Sequence, residues 1–264
     1  MFAEPRISAA LPPTTLALAC VVASVGVLVF PQAAVARTQP RGNVQAEQSQ
    51  DLRVRPVQAL AAPGRYVTES GESFILDHSG ARPLLRFEDE AEVWVLRATP
   101  APRGDILYRN DQGEVVLRST ASGGLTLFTP QAPMGEPASQ AGPGVSLRQP
   151  PLSPIQLVNF MVRQSEVASR AVGHLVIFEA EEISPGSETL VAEAAAVAVE
   201  ALTRMSRASN LRAQARQVRR IVITEGARND AAFSRGSLII TVAPREGPAG
   251  RPSSARVVRI LAGR

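Results

Sequence analysis

The chain has 264 residues, of which 28 are basic and 24 acidic, and its net charge is +4 at pH 7. One cysteine and two histidines are too few for a zinc site built from those ligands alone. The glycine-rich phosphate-binding patterns GxGxxG and GxxxxGK and the nucleophile elbow GxSxG do not occur, which excludes the enzyme classes that depend on them.

The first 36 residues have the parts of a cleavable secretory signal peptide. Arg6 supplies a positive charge, and residues 16–30 are an apolar run without any charge. Small side chains at Ala34 and Ala36 suit the shallow pockets of signal peptidase and place the cleavage site before Arg37. An uncleaved anchor helix is less favoured, because the run is shorter than the roughly 20 residues that span a bilayer. We therefore expect an exported protein, either periplasmic or secreted.

Cys20 lies in the middle of the apolar run. Attachment of a lipid to this cysteine is an alternative, but Ala17 stands where a lipobox has a branched apolar residue, and the run continues past Cys20. Once the signal peptide is removed, the mature chain contains no cysteine. This excludes disulfides and thiolate chemistry from the mature protein.

The first half of the mature chain is predicted to be a β-meander. Residues 37–62 lack a sustained apolar period and predict a flexible linker. Residues 63–128 contain short apolar runs separated by turns. Two of these turns begin with Asp77 and Asn110, and each has a glycine three residues later. The predicted strands are 65–68, 73–77, 84–87, 92–96, 106–109, 115–119 and 125–128. Such a small sheet buries little by itself, so we expect it to pack on the second half.

Residues 129–151 are predicted to be a linker between the two halves. They contain six prolines and three glycines among 23 residues. Proline removes backbone donors and glycine disfavours a fixed geometry, so neither a strand nor a helix is expected here.

Residues 152–264 predict a second half with two to three helices and three strands. Ser153 caps a helix that begins at Pro154 and ends at Gly173. The remaining predicted elements are a strand at 174–183, a helix at 188–208, strands at 219–224 and 238–243, and a short helix at 253–262, for which a strand is the alternative. The fold class is therefore α+β, with an antiparallel meander packed on an α+β half.

The residue types that commonly perform catalysis are sparse. His78 lies in a predicted turn, and His174 lies at the boundary between a helix and a strand. Glu179 and Glu181 share one face of a predicted strand and could bind calcium or act as an acid and base pair. A solvated strand edge explains this pattern equally well. The acidic clusters are Glu88, Asp89, Glu90 and Glu92, and Glu179, Glu181 and Glu182. No catalytic residue, metal site or cofactor is predicted.

Six arginines form the one stretch of single-sign charge, because no acidic residue occurs between Glu200 and Glu225. Helical spacing would place them in stacked pairs that could bind phosphate, lipid headgroups or an acidic polysaccharide. The alternative is that the cations stabilise the end of a helix. No aromatic residues are interleaved to stack on bases, so nucleic acid is not an expected partner. The candidate anion-binding residues are Arg204, Arg207, Arg212, Arg216, Arg219 and Arg220.

Two stretches carry a resemblance to a known family. They run from Pro102-Arg103-Gly104-Asp105 through YRNDQGEVVLR to Thr129, and over GRPSSARVVRIL at 250–261. They resemble exported proteobacterial proteins catalogued as a domain of unknown function, over most of the chain after Pro63. The resemblance implies export, and it implies no activity and no site residue.

The sequence predicts an exported, non-enzymatic binding or envelope-associated module that is peripheral to the membrane at most. Its expected partners are anionic envelope components. The alternative function is a hydrolase or carbohydrate-active enzyme that works through paired carboxylates. Two carboxyl groups roughly 5–10 Å apart in a cleft would favour the enzyme.

Overall fold

The computed structural model describes residues 60–263. The predicted signal peptide and residues 37–59 of the predicted linker lie outside the described residues. The described chain forms two lobes, which we call the β lobe (60–149) and the α/β lobe (150–263). Both lobes belong to one compact unit. Among the described residues, no helix has the length and apolar character needed to cross a bilayer.

The β lobe is a single antiparallel sheet of nine strands. In chain order the strands are β1 (Gly64–Thr68), β2 (Ser73–Asp77), β3 (Leu84–Phe87), β4 (Trp94–Val95), β5 (Arg97–Pro100), β6 (Ile106–Arg109), β7 (Val115–Ser119), β8 (Leu125–Leu127) and β9 (Glu136–Gly142). Their order across the sheet is β4-β3-β2-β1-β9-β8-β7-β6-β5. Only Leu96 separates β4 from β5, although these strands are at opposite ends of that order. The sheet therefore curls until its two edges meet at Leu96, which is fully buried.

Aromatic and leucine side chains fill the inside of the curled sheet. The rings of Tyr66 and Phe74 are stacked with their centroids 5.4 Å apart, and Phe87 meets Phe74 edge-on at 6.2 Å. The Tyr108 hydroxyl accepts a hydrogen bond of 2.9 Å from the backbone N–H of Ala61. Ala61 is part of this core, although the sequence predicted a flexible linker as far as residue 62.

The prediction that no strand crosses residues 129–151 is wrong. Strand β9 lies in this segment and pairs with both β1 and β8. Pro137 is compatible with this position because the β1–β9 pairing ends at Thr68 and Ala138, one residue before the proline is reached. At that place the missing N–H removes no hydrogen bond to β1.

The α/β lobe contains a four-stranded sheet covered on one face by helices. Its elements are α1 (Pro154–Val172), β10 (Ile177–Glu181), α2 (Glu188–Arg207), α3 (Arg212–Ala215), β11 (Arg220–Glu225), β12 (Asp230–Ser234), β13 (Ser237–Val242) and α4 (Ser254–Leu261). The strand order is β10-β11-β13-β12, with β10, β11 and β13 parallel and β12 antiparallel. Ile221, Ile223, Leu238 and Ile240 are fully buried in the core of this lobe, which α1 and α2 share. The opposite face of the sheet carries Glu179 and Glu181.

The ends of α1 are those that the sequence predicts. The Ser153 hydroxyl accepts from the Gln156 N–H, and the Gln156 side chain accepts from the Ser153 N–H, which is a complete capping box. Gly173 ends the helix with a φ of 86°, a conformation that favours glycine.

Other element predictions need correction. The described part of the α/β lobe has four strands rather than three, because β12 was predicted as loop. It also has four α-helices, because the short α3 was not predicted. The C-terminal segment is a helix, which decides between the two alternatives. In the β lobe, the strand predicted at 92–96 is reduced to the two residues of β4, and the following β5 was missed.

Candidate functional site: a cleft between the lobes

The N-terminus of α4 joins the two lobes. Glu92 of the β lobe is buried, and its carboxylate accepts hydrogen bonds from both the backbone N–H and the hydroxyl of Ser254. Asp111, in the turn between β6 and β7, accepts from the N–H of Ser253 at 2.9 Å. Two carboxylates therefore lie at the positive end of α4, where a helix favours negative charge.

Arg251 is a second connection between the lobes, and its side chain is only 4% exposed. Its Nε donates to the Glu193 carboxylate of α2 at 3.0 Å, and its Nη2 donates to the Val93 carbonyl of the β lobe at 2.7 Å. The buried guanidinium is thus paired in charge within the α/β lobe and hydrogen-bonded to the backbone of the other lobe. A pairing of this kind makes burial of the charge tolerable.

A cleft of about 240 Å³ opens beside Arg251, between the two lobes. The β-lobe wall is apolar and includes Leu84, Val93, Val95 and Leu147. The opposite wall is formed where β10 and β13 end, by Gly186 and Ser187 before α2 and by Pro244 and Pro248 after β13. The cleft therefore lies at the carboxyl ends of parallel strands, which is where open α/β sheets commonly bind their ligands.

The charged side chains that line this cleft are Arg148, Arg251 and Glu193, and Glu193 is paired with Arg251. Helix α2 begins at the cleft, and the side chain of its N-cap residue, Ser187, makes no capping hydrogen bond. The first backbone N–H groups of a 20-residue helix carry a partial positive charge. Arg148 lies on the wall opposite, and Arg251 is at the base beside Glu193. The arrangement suits a ligand with one acidic group and an apolar body.

Hydrogen bonds to Asp77 fix the β-lobe side of the cleft. The Asp77 carboxylate accepts from the Leu147 N–H at 2.8 Å and from the Ser146 hydroxyl at 3.2 Å. Burial works to raise the pKa of Asp77, but hydrogen bonds from Leu147, Ser79 and Ser146 outweigh it, and the pKa lies below its ordinary value. The segment that follows β9 is thereby held against β2.

Glu225 fixes the opposite side. Its carboxylate accepts from the N–H of Ser184 at 2.9 Å and from the Ser184 hydroxyl at 2.8 Å. Burial works to raise the pKa of Glu225, but hydrogen bonds from Ser187 and Ser184 lower it below its ordinary value. The loop that leads into α2 is therefore held by the end of β11, and the cleft is formed before any ligand arrives.

Comparison with known proteins places this architecture in a family. Residues 46–261 match the family model described as Domain of unknown function (DUF4908). The chain belongs to this DUF4908 family. No curated protein and no solved structure matches the chain. The matched range extends across both lobes.

The two stretches that carried the resemblance to a family of unknown function meet in the structure. Asp111 and Gln112 belong to the first stretch, and Ser253 and Arg259 belong to the second. Asp111 accepts from Ser253, and Arg259 donates to the Gln112 side chain at 2.5 Å. These segments of the DUF4908 chain are therefore the two sides of the contact between the lobes.

The six candidate arginines do not form one surface. Arg204 donates to the Ser254 hydroxyl at 2.7 Å, near the contact between the lobes, and Arg220 pairs with Glu179 at 3.2 Å on the open face of the small sheet. Arg212 donates to the Ser206 carbonyl in the last turn of α2. All six are exposed, and within the described part of the chain only Arg220 among them forms an ion pair.

The candidate carboxylates and histidines have structural contacts. Glu179 and Glu181 share one strand face, as predicted, and Glu179 is neutralised by Arg220. His78 contacts the Tyr108 ring, and burial lowers the pKa of His78. His174 Nε2 lies 2.8 Å from the Val218 carbonyl. Within residues 60–263, no three acidic, histidine or cysteine side chains come together as a metal site.

Reasoning from the sequence missed the cleft because its residues are far apart in the chain. Leu84, Leu147, Ser187 and Arg251 share no motif and no spacing. The one local signal was Ser253, which accepts from the N–H of Arg256 as the N-cap of α4. It locates the start of the helix without indicating what the helix contacts.

Proposed function

We propose that this DUF4908 chain is an exported, non-enzymatic binding protein that holds a small amphipathic anion in the cleft between its lobes. The observation that carries the proposal is the position of the cleft. It lies at the carboxyl ends of β10 and β13 and at the start of α2, with Arg148 and Arg251 beside it. In a protein that works outside the cytoplasm, the partner is an anionic envelope component such as a lipid with its acidic headgroup.

The composition of the cleft supports a ligand with an apolar body. Leu84, Val95 and Leu147 on one side face Leu190 and Pro248 on the other. Burial of apolar surface supplies most of the affinity in such sites, and a few polar groups fix the orientation. A volume of about 240 Å³ is below the roughly 300–1,000 Å³ of clefts that bind drug-sized ligands. The expected ligand is therefore small, with about eight to ten non-hydrogen atoms inside the cleft.

The state of the carboxylates supports binding rather than hydrolysis. Glu92 and Asp111 hold the start of α4, and Glu193 is paired with Arg251. A pair of carboxylates that performs general acid and base catalysis needs one protonated and one ionised member facing a substrate. Here the carboxylates nearest the contact between the lobes accept hydrogen bonds that hold the protein together. The paired-carboxylate enzyme is therefore the weaker of the two functions.

Export is supported by the N-terminal sequence alone. The uncharged run at 16–30 and the small residues Ala34 and Ala36 are the features that the secretion machinery recognises. Mass spectrometry of the protein recovered from its native cells tests this part. The expected N-terminal residue is Arg37, in a periplasmic or extracellular fraction. An intact Met1 in the cytosolic fraction would contradict export.

Ligand binding is tested by calorimetric titration with three probes that share one chain length, namely octanoate, octan-1-ol and octylammonium. We expect saturable binding of octanoate, weaker binding of the alcohol and the weakest binding of the ammonium compound. Replacement of the exposed Arg148 by Gln removes one charge-assisted hydrogen bond, and it should weaken octanoate binding by about tenfold. Arg103→Gln is the matched control, because Arg103 is an exposed arginine in the turn between β5 and β6 that does not line the cleft. Equal binding of octanoate and octylammonium, or no saturable binding of any probe, would refute the proposed ligand class.

A further inference from the structure

Helix α1 and strand β10 expose an apolar surface that nothing in the described chain covers. Ile155, Val158 and Val162 on α1 are 74%, 61% and 56% exposed, and Leu175 and Ile177 beside β10 are 68% and 45% exposed. The three α1 residues follow one another at spacings of three and four, so they share a face of the helix. We call these five residues and the outer edge of β10 the α1–β10 surface. Ile177 shares the open face of the sheet with Glu179, so exposed apolar side chains flank the β10 edge on both faces. Exposed apolar side chains beside an unpaired strand edge mark an interaction site.

The edge of β10 offers backbone hydrogen bonds at the same place. β10 is the first strand in the order of its sheet and pairs only with β11. The Ile177 N–H donates to the Arg219 carbonyl at the start of β11, so by alternation the backbone groups of Phe178 and Ala180 point away from the sheet. Just before them, Val176 has its own outward groups paired with α1, because Ser169 accepts from its N–H and Ser165 donates to its carbonyl. The α1 hydroxyls therefore occupy the β10 edge only at Val176, and the edge from Phe178 onward is open to an added strand.

We infer that the α1–β10 surface binds a second copy of this chain, with the two β10 strands antiparallel about a two-fold axis at Glu179. The two four-stranded sheets then join into one sheet of eight strands, and the α1 helices pack on each other beside the junction. This inference does not depend on the ligand cleft, whose lining includes none of these residues.

The register of this pairing is self-complementary. An axis at Glu179 places Phe178 of each copy opposite Ala180 of the other. Both residues have outward-pointing backbone groups, so each such pair can exchange two backbone hydrogen bonds. Both side chains lie on the helix-covered face, where Ala180 is exposed and Phe178 is half-buried. A large ring on one strand therefore faces a small, accessible side chain on the other.

The α1–β10 surface is smaller than the area that one partner buries in a standard interface. Helix α1 has 19 residues, which gives a length of about 28 Å. With the neighbouring strand it offers a face about 15–20 Å wide, and this amounts to several hundred Å². Specific interfaces bury about 800 Å² on each partner. The strand pairing adds backbone hydrogen bonds to this apolar area.

Charge favours a second copy over an anionic membrane. Glu179, Glu181 and Glu182 lie on or beside β10, and an anionic lipid surface would repel them. Between two copies, the two Glu179 carboxylates come close at the axis, but each one has Arg220 at 3.2 Å as its own counter-ion. The like-charge contact is therefore between ion pairs rather than between bare carboxylates.

The mass of the full chain in solution is the first test. Light scattering after size-exclusion chromatography, at about 100 µM protein, should give twice the chain mass of 28.0 kDa. The double variant Val158→Asp/Val162→Asp should return the mass to that of one chain, because it places charges in the apolar stripe. Val145→Asp is the matched control, since Val145 is a valine with 60% exposure in the β lobe. It should remain dimeric.

A cross-link tests the register. In a Cys20→Ser background, Glu179→Cys places two cysteines opposite each other across the axis, about 4.5–5.5 Å apart at Cα, which is within the range for a disulfide. Glu181→Cys is the control, because the two copies of residue 181 are offset by four positions, or about 13 Å, along the strands. Mild oxidation should link the first variant and leave the second unlinked.

Three outcomes would overturn the inference. The first is a wild-type chain that stays at the mass of one copy at all concentrations. The second is a dimer whose mass the Val158→Asp/Val162→Asp change leaves unaltered. The third is equal cross-linking of the variants at 179 and 181. A single-copy chain that sediments with anionic vesicles would assign the surface to a membrane instead, and it also contradicts the inference.

Discussion

Replacement of Arg251 by Met should destabilise the protein strongly. The methionine fills much of the same volume but cannot donate to Glu193 or to the Val93 carbonyl. The Glu193 side chain, which is 21% exposed, then keeps its charge without a counter-ion in the contact between the lobes. Removal of one member of a buried ion pair typically costs about 3–5 kcal/mol. A natural domain has only about 5–15 kcal/mol of stability in total, so this is a large fraction of it.

Urea denaturation at pH 7 measures this change. Wild type and Arg251→Met should differ by about 3–5 kcal/mol in the free energy of unfolding, with the denaturant dependence unchanged. Arg251→Met/Glu193→Met is the decisive companion, because replacement of both members of a buried pair by apolar residues is commonly neutral. The double variant should recover most of the loss. A loss below about 1 kcal/mol for the single variant, or an equal loss for the double variant, would refute the reasoning.

Three further changes test other parts of the structure. Burial lowers the pKa of His78, so the stability of the protein should fall as the pH drops through 6.5. His78→Leu should therefore reduce the difference between the urea midpoints at pH 7 and pH 5. An unchanged difference would contradict this. Burial raises the pKa of Glu90 despite the nearby Arg204, so ionisation of Glu90 costs stability, and Glu90→Gln should raise the midpoint at pH 7 more than at pH 4.5. Equal gains at both pH values would argue against that assignment. Ser153→Ala removes one half of the capping box of α1 and should cost about 1 kcal/mol by urea denaturation, and a neutral result would show that the cap contributes little.

The elements that the sequence predicted well are those with local signals. Asp77 and Asn110 accept from the N–H groups of Ser79 and Gln112, so the turn chemistry that predicted two hairpins is present in the structure. The capping box at Ser153 and the left-handed Gly173 likewise fix the ends of α1. In each case, the interactions that decide the local conformation lie within four residues of one another.

The elements that were missed depend on distant partners. β9 contains Pro137, is followed by Pro143 and consists mostly of small residues, and it is a strand because β1 and β8 flank it. β12 contains adjacent alanines, yet it pairs along its whole length with β13. Local propensity is a weak guide where cross-strand contacts supply the stability.

The candidate site could be predicted only in part. The six clustered arginines are all exposed, but Arg204 donates to the Ser254 hydroxyl and Arg220 forms an ion pair with Glu179, and the anion binding predicted for them stays a prediction. The contact between the lobes is made by residues up to 162 positions apart, such as Glu92 and Ser254. No periodicity in the sequence reports such a pairing, and the cleft exists only because of it.

A cleft between the lobes requires them to be one cooperative unit, and two spectroscopic signals test this directly. Trp94 is the single tryptophan and lies in the β lobe, where its ring meets Phe87 edge-on at 5.7 Å. Circular dichroism at 222 nm reports the helices, all of which among the described residues lie in the α/β lobe apart from one short turn at Pro102–Gly104. Tryptophan fluorescence and circular dichroism should give the same urea midpoint. Two separate midpoints would show that the lobes unfold independently, and a cleft fixed between them would then be contradicted.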